Sequence, residues 1–490
     1  MVVLLCVASL AAGRVWRFPF DDELSAMAFE PHPGRVPSAW ELTWYFLNSG
    51  IFHPPLSFLL FSSLYKFGVA EPVIRLLSLM MTALALSLWH ILALAVIGTR
   101  RDAPVEVTSR MAAVLIFGLS PLAIGIGDAI RWYPPFALSV ALFATLYLAG
   151  TRNGARLASA VPLGLAASIN LIAPLVIAPF VLYRYVLERA WRTAFDLCYW
   201  VIFLLAAAPG LYTAVSVVRF GLRKVRLNAF GLGPVSGLAE NALGFFGGTV
   251  IGPGWAWVVI PSATVAVFAV ATQIDRRRPA DPVHFMLLLL AAPVPAVLAG
   301  FAESRAYLYL APIFAAVLTA YLGRRAWRES RRYLLCVCCV LMPGLVVIGE
   351  LRAGTHPFKR NNAIPFDAVL AFIDGNKTGD ALVLSTDPVV PWELQKRADP
   401  HLCAVSFFDD NTRCAADAHH YDAVFVISGH SAYSVGGRGM QQFAAHAADI
   451  TAGREKIAEL HVGHDEDAML KTRLTGVPLD EFILTVDLYR

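Results

Sequence analysis

Long uncharged runs dominate the first 350 residues of this 490-residue chain. A helix needs about 17–25 apolar residues to cross a bilayer. Runs of this kind cover residues 76–98, 111–127, 134–150, 157–183, 194–218, 249–274, 283–302, 306–323 and 333–349, and residues 1–17 form a shorter one. Only 16% of all residues are charged, against about 25% in soluble domains. We therefore predict a multi-pass α-helical membrane protein, because helices satisfy their own backbone hydrogen bonds in lipid.

The loops between these runs differ in arginine content, which predicts their side of the membrane. Arginines cluster after residues 98, 150, 183, 274 and 323, whereas the alternating loops 18–75, 128–133 and 303–305 contain few. The run 157–183 fits this rule only as two short helices, broken near Asn170 and Pro174. Residues 1–350 then form a bundle of about eleven spans, with its N-terminus in the cytoplasm. For residues 1–17, a cleaved signal sequence and a start further upstream remain alternatives.

Composition changes after residue 350. Short apolar runs at 381–384, 423–427 and 482–486 predict buried strands, and residues 365–374 and 437–449 have helical patterns. This alternation predicts a small α/β domain over residues 351–490, on the outer side of the membrane. Glycines near residues 436–439 could cradle a phosphate, but an ordinary loop is preferred. Because disulfides form outside the cytoplasm, we predict a bond between Cys403 and Cys414.

Charged and polar residues of the first 350 residues converge on the predicted outer face. They are Asp21, Asp22, Glu23, His53, Glu71, Arg75, Asp128, Arg131, Tyr133, Arg219, Arg223, Lys224, Glu303 and Arg305. Arginines can hold a phosphate through paired hydrogen bonds, and a neighbouring carboxylate can remove a proton from an incoming hydroxyl. The set therefore indicates chemistry on a phosphate-containing substrate at the membrane surface. No basic tract interleaved with aromatic residues indicates a nucleic-acid partner.

Several of these residues also have a structural interpretation. Asp21, Asp22 and Glu23 could cap a helix beginning near Leu24. Glu71 and Arg75 have the spacing of a helical ion pair, and this interpretation is preferred for them. The basic cluster at 219–226 could bind lipid headgroups instead of a substrate.

Three passages resemble membrane glycosyltransferases of the GT-C superfamily, in the branch of the protein mannosyltransferases and the lipid A aminoarabinose transferase. Asp22-Glu23 resembles the acidic motif of the first outer loop. Residues 53–60, HPPLSFLL, and 71–78, EPVIRLLS, are similar to the HPPL helix and to the start of the second span, with Leu77 where proline is usual. More weakly, residues 131–133 resemble an R-x-Y motif, and residues 305–308 an RYL motif with Ala306 inserted.

The resemblance implies an inverting glycosyltransferase that uses a polyprenyl-phosphate sugar donor and needs no metal. Its acceptor would be a lipid, glycan or protein at the outer face of the bacterial cytoplasmic membrane. The catalytic base would be Asp22, with Asp21 as the adjacent alternative. A divalent cation bound by residues 21–23 and His53 remains a less favoured alternative.

Two other functions fit the predicted topology. A transporter or flippase for a lipid-linked sugar would need charged residues within its spans, and the sequence contains few. A non-catalytic membrane scaffold would use the outer α/β domain to bind a partner.

Overall fold

The computed structural model describes residues 54–97, 130–150, 153–220, 282–292, 309, 313, 366–397, 399–406, 420–429, 432–464 and 482–490. These residues belong to two compact units. The first unit contains the described residues up to 313 and is helical. The second contains those from 366 onward and has an α/β structure. The predicted boundary at residue 350 lies outside the described residues.

The first unit consists of apolar helices. They are α1 (Leu56–Lys66), α2 (Glu71–Ile97), α3 (Tyr133–Leu148), α4 (Asn153–Ala158), α5 (Ala160–Ile169), α6 (Pro174–Leu182), α7 (Thr193–Phe220) and α8 (Pro282–Ala291). Among the described residues, α2 and α7 each contain a stretch long and apolar enough to cross a membrane, at Glu71–Leu92 and Thr193–Val215. The predicted total of about eleven spans includes segments outside these residues and stays a prediction.

The run 157–183 is broken where the sequence predicted. Helix α5 ends before Asn170, which has an extended backbone and whose Oδ1 accepts a hydrogen bond from the Ile172 amide at 3.0 Å. Helix α6 then begins at Pro174, because proline is favoured in a first helical turn. The chain then turns back, so that Glu188 after α6 lies next to Arg156 before α5, and the two form an ion pair at 3.2 Å. These contacts confirm the predicted helical hairpin.

Helices α5 and α7 approach closely through small residues. A Cβ atom added to Gly210 would lie 2.0 Å from the Ala167 carbonyl oxygen, and one added to Gly164 would lie 2.6 Å from the Ala206 Cβ. The Ser168 hydroxyl donates a hydrogen bond of 2.7 Å to the Ala206 carbonyl across the same contact. Small residues allow this approach, which is a common way for apolar helices to associate in lipid.

Apolar side chains also cover outward faces of the two long helices. The exposed ones include Val73, Met80, Leu84 and Ile91 on α2, and Leu197, Val201, Leu205 and Val215 on α7. Water-soluble monomers rarely expose apolar surfaces of this extent. In a membrane, lipid acyl chains would cover these faces, so their exposure on the protein surface would have no hydrophobic cost.

The second unit is a five-stranded sheet flanked by helices. Its elements are α9 (Phe366–Asn376), β1 (Ala381–Ser385), α10 (Val389–Gln395), β2 (Leu402–Ser406), β3 (Ala423–Gly429), α11 (Ala432–Ile450), β4 (Lys456–His464) and β5 (Phe482–Tyr489). The strand order is β2-β1-β3-β5-β4. Strands β2, β1 and β3 run parallel, and β5 is antiparallel to both β3 and β4. The predicted α/β class is therefore confirmed for this unit.

Two faces of the sheet are covered by different helices. Leu382, Leu384, Val424 and Val426 form a core with Phe443 and neighbouring residues of α11. On the other face, the Phe372 ring of α9 packs edge-on against Phe425, with centroids 6.3 Å apart. All residues of β1 are buried, which explains why this strand is a continuous apolar run.

The helical pattern predicted at residues 437–449 is confirmed, whereas the loop preferred at residues 436–439 was wrong. Helix α11 begins at Ala432 and includes these glycines. Phe443, Ala447 and Ile450 are buried at helical spacing further along α11. These residues pack against the sheet and stabilise the later turns of α11. The turn that contains the glycines extends this helix, although glycine itself favours helix weakly.

Candidate functional site

The structure describes four of the predicted site residues with their side chains, namely Glu71, Arg75, Arg131 and Tyr133. The backbone of Arg219 lies near the end of α7. The other predicted site residues lie outside the described part of the chain: Asp21, Asp22, Glu23, His53, Asp128, Arg223, Lys224, Glu303 and Arg305. Their convergence with the four described residues stays a prediction.

Glu71 and Arg75 form the ion pair that their spacing predicted. Arg75 Nη2 donates to Glu71 Oε1 at 2.7 Å within the first turns of α2. The Arg75 side chain is fully buried, so this pair differs from an exposed helical pair on a protein surface. A buried guanidinium is costly without a carboxylate nearby. Glu71 therefore offsets the charge of Arg75 where α2 begins.

Residues 131–133 form the buried entrance to α3. Arg131 is 7% exposed, and Trp132 and Tyr133 are also buried. The Trp132 and Tyr133 rings lie 4.3 Å apart, and Trp132 meets the edge of Phe136 at 5.8 Å. Proline at the next two positions suits a first helical turn. The aromatic packing thus fixes the backbone on which Arg131 is carried.

A later segment of the chain packs beside this entrance. Tyr309, four residues after Arg305, makes an edge contact with Phe136 at a centroid distance of 5.2 Å. Phe136 is one helical turn from Trp132 along α3. The described residue Tyr309 therefore packs near the end of α3 at which Arg131 lies, whereas Arg305 is outside the described residues.

This arrangement has a definite chemical capacity. The Arg131 side chain is buried, and in a region of low dielectric constant the attraction of a guanidinium to an anion is stronger than in water. Its planar donors match two oxygens of a phosphate. The buried entrance to α3 can thus contribute one fixed, bidentate phosphate ligand.

A second buried charged cluster lies where the helical hairpin closes. Arg184 is 2% exposed and forms an ion pair with Asp196 at the start of α7. Arg184 Nη1 also donates to the Tyr147 hydroxyl at 2.8 Å. That hydroxyl donates to Glu188 Oε2 at 2.6 Å, and Glu188 in turn pairs with Arg156. One tyrosine therefore links two ion pairs.

Aromatic rings surround Arg184 in this cluster. Its guanidinium carbon lies 4.9–5.7 Å from four ring centroids, those of Phe195, Tyr185, Tyr147 and Tyr199. The positive-inside rule assigns Arg184 only to a side of the membrane and gives no partner for it. The sequence signal that could have predicted this cluster was the presence of opposite charges on both sides of residues 188–192. The cluster joins α3, α4, the end of the hairpin and α7.

A charged groove of about 350 Å³ lies between α9 and α10 in the second unit. It is lined by Asp367, Leu370, Ala371, Asp374, Glu393, Lys396 and Arg397. Arg397 Nη1 contacts both carboxylate oxygens of Asp374 at 2.8 Å, and Lys396 pairs with Glu393 at 2.8 Å. Both cations are engaged by acids of the same groove, which does not favour phosphate binding there.

The remaining sequence predictions concern cysteines and metals. Cys403 is disulfide-bonded, and Cys414 lies outside the described residues, so their pairing stays a prediction. Within the described ranges, no group of three or more histidine, cysteine, aspartate or glutamate residues could hold a metal ion. The alternative metal site at residues 21–23 and His53 lies outside those ranges.

Comparisons with known proteins show the fold. No protein-family profile and no curated protein sequence matches the chain. The crystal structure of ArnT from Cupriavidus metallidurans in the apo state matches with a TM-score of 0.50 and 13% identity, over 99% of this chain and 96% of that chain.

Two further solved structures are similar at lower TM-scores. ArnT bound to undecaprenyl phosphate gives 0.47 at 14% identity, over 99% of this chain and 96% of that chain. The arabinofuranosyltransferase AftD from Mycobacteria gives 0.46 at 13% identity, over 100% of this chain and 39% of that chain. The fold assignment depends on the apo ArnT match, which covers nearly the whole of both chains. The chain therefore has the fold of the ArnT structure.

Proposed function

We propose that the protein is an inverting glycosyltransferase that takes a sugar from a polyprenyl-phosphate donor. The observation that carries this proposal is the fold match to ArnT over 99% of this chain and 96% of that one. ArnT has been solved with undecaprenyl phosphate bound. A lipid phosphate of this kind suits the arginine-rich set that the sequence predicts at the outer face. The sugar is a hexose or a pentose, and the acceptor is a lipid, glycan or protein.

Arg131 is the described residue best suited to the donor phosphate. Its burial and the packing of Trp132 and Tyr133 hold it in one place before a substrate arrives. A preorganised cation stabilises charge that develops in the transition state without a reorganisation cost. Arg305 is proposed as its companion, because Tyr309, four residues later in the chain, packs against Phe136 near the same end of α3.

Asp22 is proposed as the general base, with Asp21 as the adjacent alternative. The carboxylate removes the proton of the acceptor hydroxyl while that oxygen attacks the anomeric carbon. The bond between this carbon and the donor phosphate breaks, and its electron pair leaves with the phosphate. Arg131 and Arg305 stabilise the departing phosphate. Attack from the face opposite the leaving group inverts the anomeric configuration.

We place this reaction at the outer face of the bacterial cytoplasmic membrane. Support comes from the exposed apolar faces of α2 and α7 and from the confirmed hairpin, which returns Arg184, Arg189 and Arg192 to the side of Arg156. By the positive-inside rule that side is cytoplasmic. The second unit then lies outside, where a disulfide at Cys403 can persist.

The test is transfer from a radiolabelled polyprenyl-phosphate sugar by purified protein in lipid nanodiscs, against lipid, glycan and protein acceptors. We expect Asp22→Asn to lower the rate by about 100- to 10,000-fold, the usual contribution of a general base. Arg131→Gln should lower kcat and raise KM for the donor. Arg397→Gln in the groove of the second unit is the matched control and should transfer at the parent rate.

Two results would reject the proposal. One is parent-level transfer by folded Asp21→Asn and Asp22→Asn proteins. The other is movement of a lipid-linked sugar across vesicle membranes without any glycosyl transfer, which would indicate the transporter instead.

A further inference from the structure

The loop of residues 188–192, between the hairpin and α7, has a fixed backbone. Arg189 has a positive φ of 51°. The Trp191 amide donates to the Arg189 carbonyl at 3.1 Å, and the Arg192 amide donates to Asp196 Oδ2 at 3.0 Å. Asp196 also holds the buried Arg184, so one carboxylate fixes both the cluster and the loop. The loop therefore presents its side chains in a set arrangement.

Some charged side chains at this end of the hairpin are buried in the protein, and others are exposed on its surface. Arg184 points inward and is neutralised by Asp196, and Glu188 is engaged by Arg156 and Tyr147. Arg189 and Arg192 are exposed, and neither side chain has an ion-pair partner among the described residues. The loop thus carries two uncompensated positive charges on its outer surface.

A tryptophan protrudes between these two arginines. Trp191 is 72% exposed, and its ring lies 4.6 Å from that of Tyr185. Tryptophan prefers the interface between headgroups and acyl chains, because its ring is apolar and its N–H is polar. Arginine prefers the same depth, where its stem lies in apolar surroundings and its head reaches phosphate.

Exposed apolar residues continue from the loop in both directions. Val181, Leu182 and Val186 are exposed before it, and Leu197, Val201 and Leu204 are exposed after it. The loop with its arginines and tryptophan therefore lies at one end of an apolar helical surface. The exposed apolar residues suit the acyl-chain layer of a bilayer leaflet, and the arginines and tryptophan of the loop suit its headgroup layer.

We propose that residues 188–192 form a binding site for an anionic phospholipid headgroup of the membrane. Arg189 and Arg192 bind its phosphate, and Trp191 lies at the boundary between headgroups and acyl chains. The site depends on the membrane placement proposed above, but it does not depend on glycosyl transfer. It is separate from residues 131–133, which lie at the opposite end of α3 from Tyr147.

The probe is phosphatidylglycerol with brominated acyl chains, compared with brominated phosphatidylcholine, in nanodiscs containing the full chain. Bromine quenches nearby tryptophan fluorescence. The signal of Trp191 is the difference between the parent and Trp191→Phe. At low salt we expect brominated phosphatidylglycerol to quench this signal at a much lower mole fraction than brominated phosphatidylcholine.

The preference should depend on the two loop arginines. Each basic residue near an anionic surface contributes about 1 kcal/mol, so Arg189→Gln/Arg192→Gln should reduce the preference by up to about thirtyfold, the equivalent of about 2 kcal/mol. Higher salt should reduce it as well, because exposed charges are screened. Lys396→Gln/Arg397→Gln removes two charges from the second unit and should leave the preference unchanged.

Three outcomes would overturn this inference, provided that the variants elute and melt like the parent. They are equal quenching by the two lipids, an unchanged preference in Arg189→Gln/Arg192→Gln, and no quenching of Trp191 by either lipid. Transfer activity is measured on the same samples. Loss of lipid preference with transfer retained supports the headgroup site and leaves the proposed enzymatic function intact.

Discussion

Asp196→Ala is the substitution whose effect the structure predicts most sharply. Asp196 Oδ1 accepts hydrogen bonds from Arg184 Nε, at 3.1 Å, and from Arg184 Nη2. Alanine at this position leaves a 2%-exposed guanidinium with tyrosine hydroxyls and aromatic rings around it but without the Asp196 carboxylate that neutralised it. A buried charge that loses its partner must be accommodated without water. The variant should therefore be strongly destabilised.

The expected magnitude follows from the burial of the two partners. Removing one member of a buried ion pair costs about 3–5 kcal/mol. Asp196 itself is 15% exposed, which favours the lower end, about 3 kcal/mol. Arg184→Met should cost less, about 1–2 kcal/mol, because the carboxylate left behind can reach water. In the double variant Arg184→Met/Asp196→Leu no charge is buried, so its cost should fall below the sum of the single costs by about 2 kcal/mol.

The assay is reversible unfolding of the first unit in mixed micelles with increasing sodium dodecyl sulfate, followed by tryptophan fluorescence. Parent, both single variants and the double variant form a double-mutant cycle. Lys396→Ala removes an exposed pair from the second unit and is the control, which should leave the unfolding transition of the first unit unchanged. Single costs that add to within about 0.5 kcal/mol in the double variant would refute the reasoning, because they would show that Arg184 and Asp196 are not coupled.

Three further changes test other parts of the structure. Gly210→Ala should lower the thermal midpoint by an amount equivalent to about 1–3 kcal/mol, because its new methyl group would overlap the Ala167 backbone and force α5 from α7. Tyr147→Phe removes the hydroxyl that links the two ion pairs, and the cost should be about 1–3 kcal/mol in the same micelle titration, because Arg184 Nη1 loses its acceptor. In the second unit, the Lys377 ammonium donates to Asp399 and holds the pKa of that carboxyl below its usual range. Stability from this pair should be present above about pH 4, the ordinary pKa of aspartate, and should be lost as pH falls through the lowered pKa. Thermal melts between acidic and neutral pH should show this loss in the parent, whereas Asp399→Asn should show a flatter profile.

The sequence alone predicted the elements whose signal is local. The break near Asn170 was predictable because a single crossing would have placed Arg184 on the wrong side, and proline marked the restart of the helix. Strands β1 and β3 were predictable because buried central strands are continuous apolar runs, and β5 was predictable from its apolar start at residues 482–484 and the alternation of buried and half-buried residues after it. Strands β2 and β4 are the two edge strands of the sheet, and polar residues interrupt the apolar pattern of β4. Both were therefore missed.

The charged cluster around Arg184 could not be predicted from local signals. Its ion pairs join Arg156 to Glu188 and Arg184 to Asp196. Such pairs form only after α3, the hairpin and α7 have packed. A count of arginines assigns each one to a side of the membrane, but it contains no information on which arginine turns inward. Glu71 and Arg75 were predictable as a pair because they lie on one helix, whereas the burial of Arg75 depends on tertiary packing.

The last turn of the hairpin has a consequence for how this chain tolerates insertions and deletions. Residues Tyr183–Leu187 are π-helical, and the Glu188 amide donates to the Tyr183 carbonyl five residues earlier, at 2.8 Å. A π-turn is an α-helix that contains one additional residue. Deleting one residue at Val186 would remove this additional residue and leave a regular α-turn, so the segments on either side would keep their relative rotation. This turn is therefore the place where a single-residue deletion should leave Glu188 beside Arg156 and Trp191 on the surface, whereas a deletion in a regular α-helix rotates the following residues by about 100°.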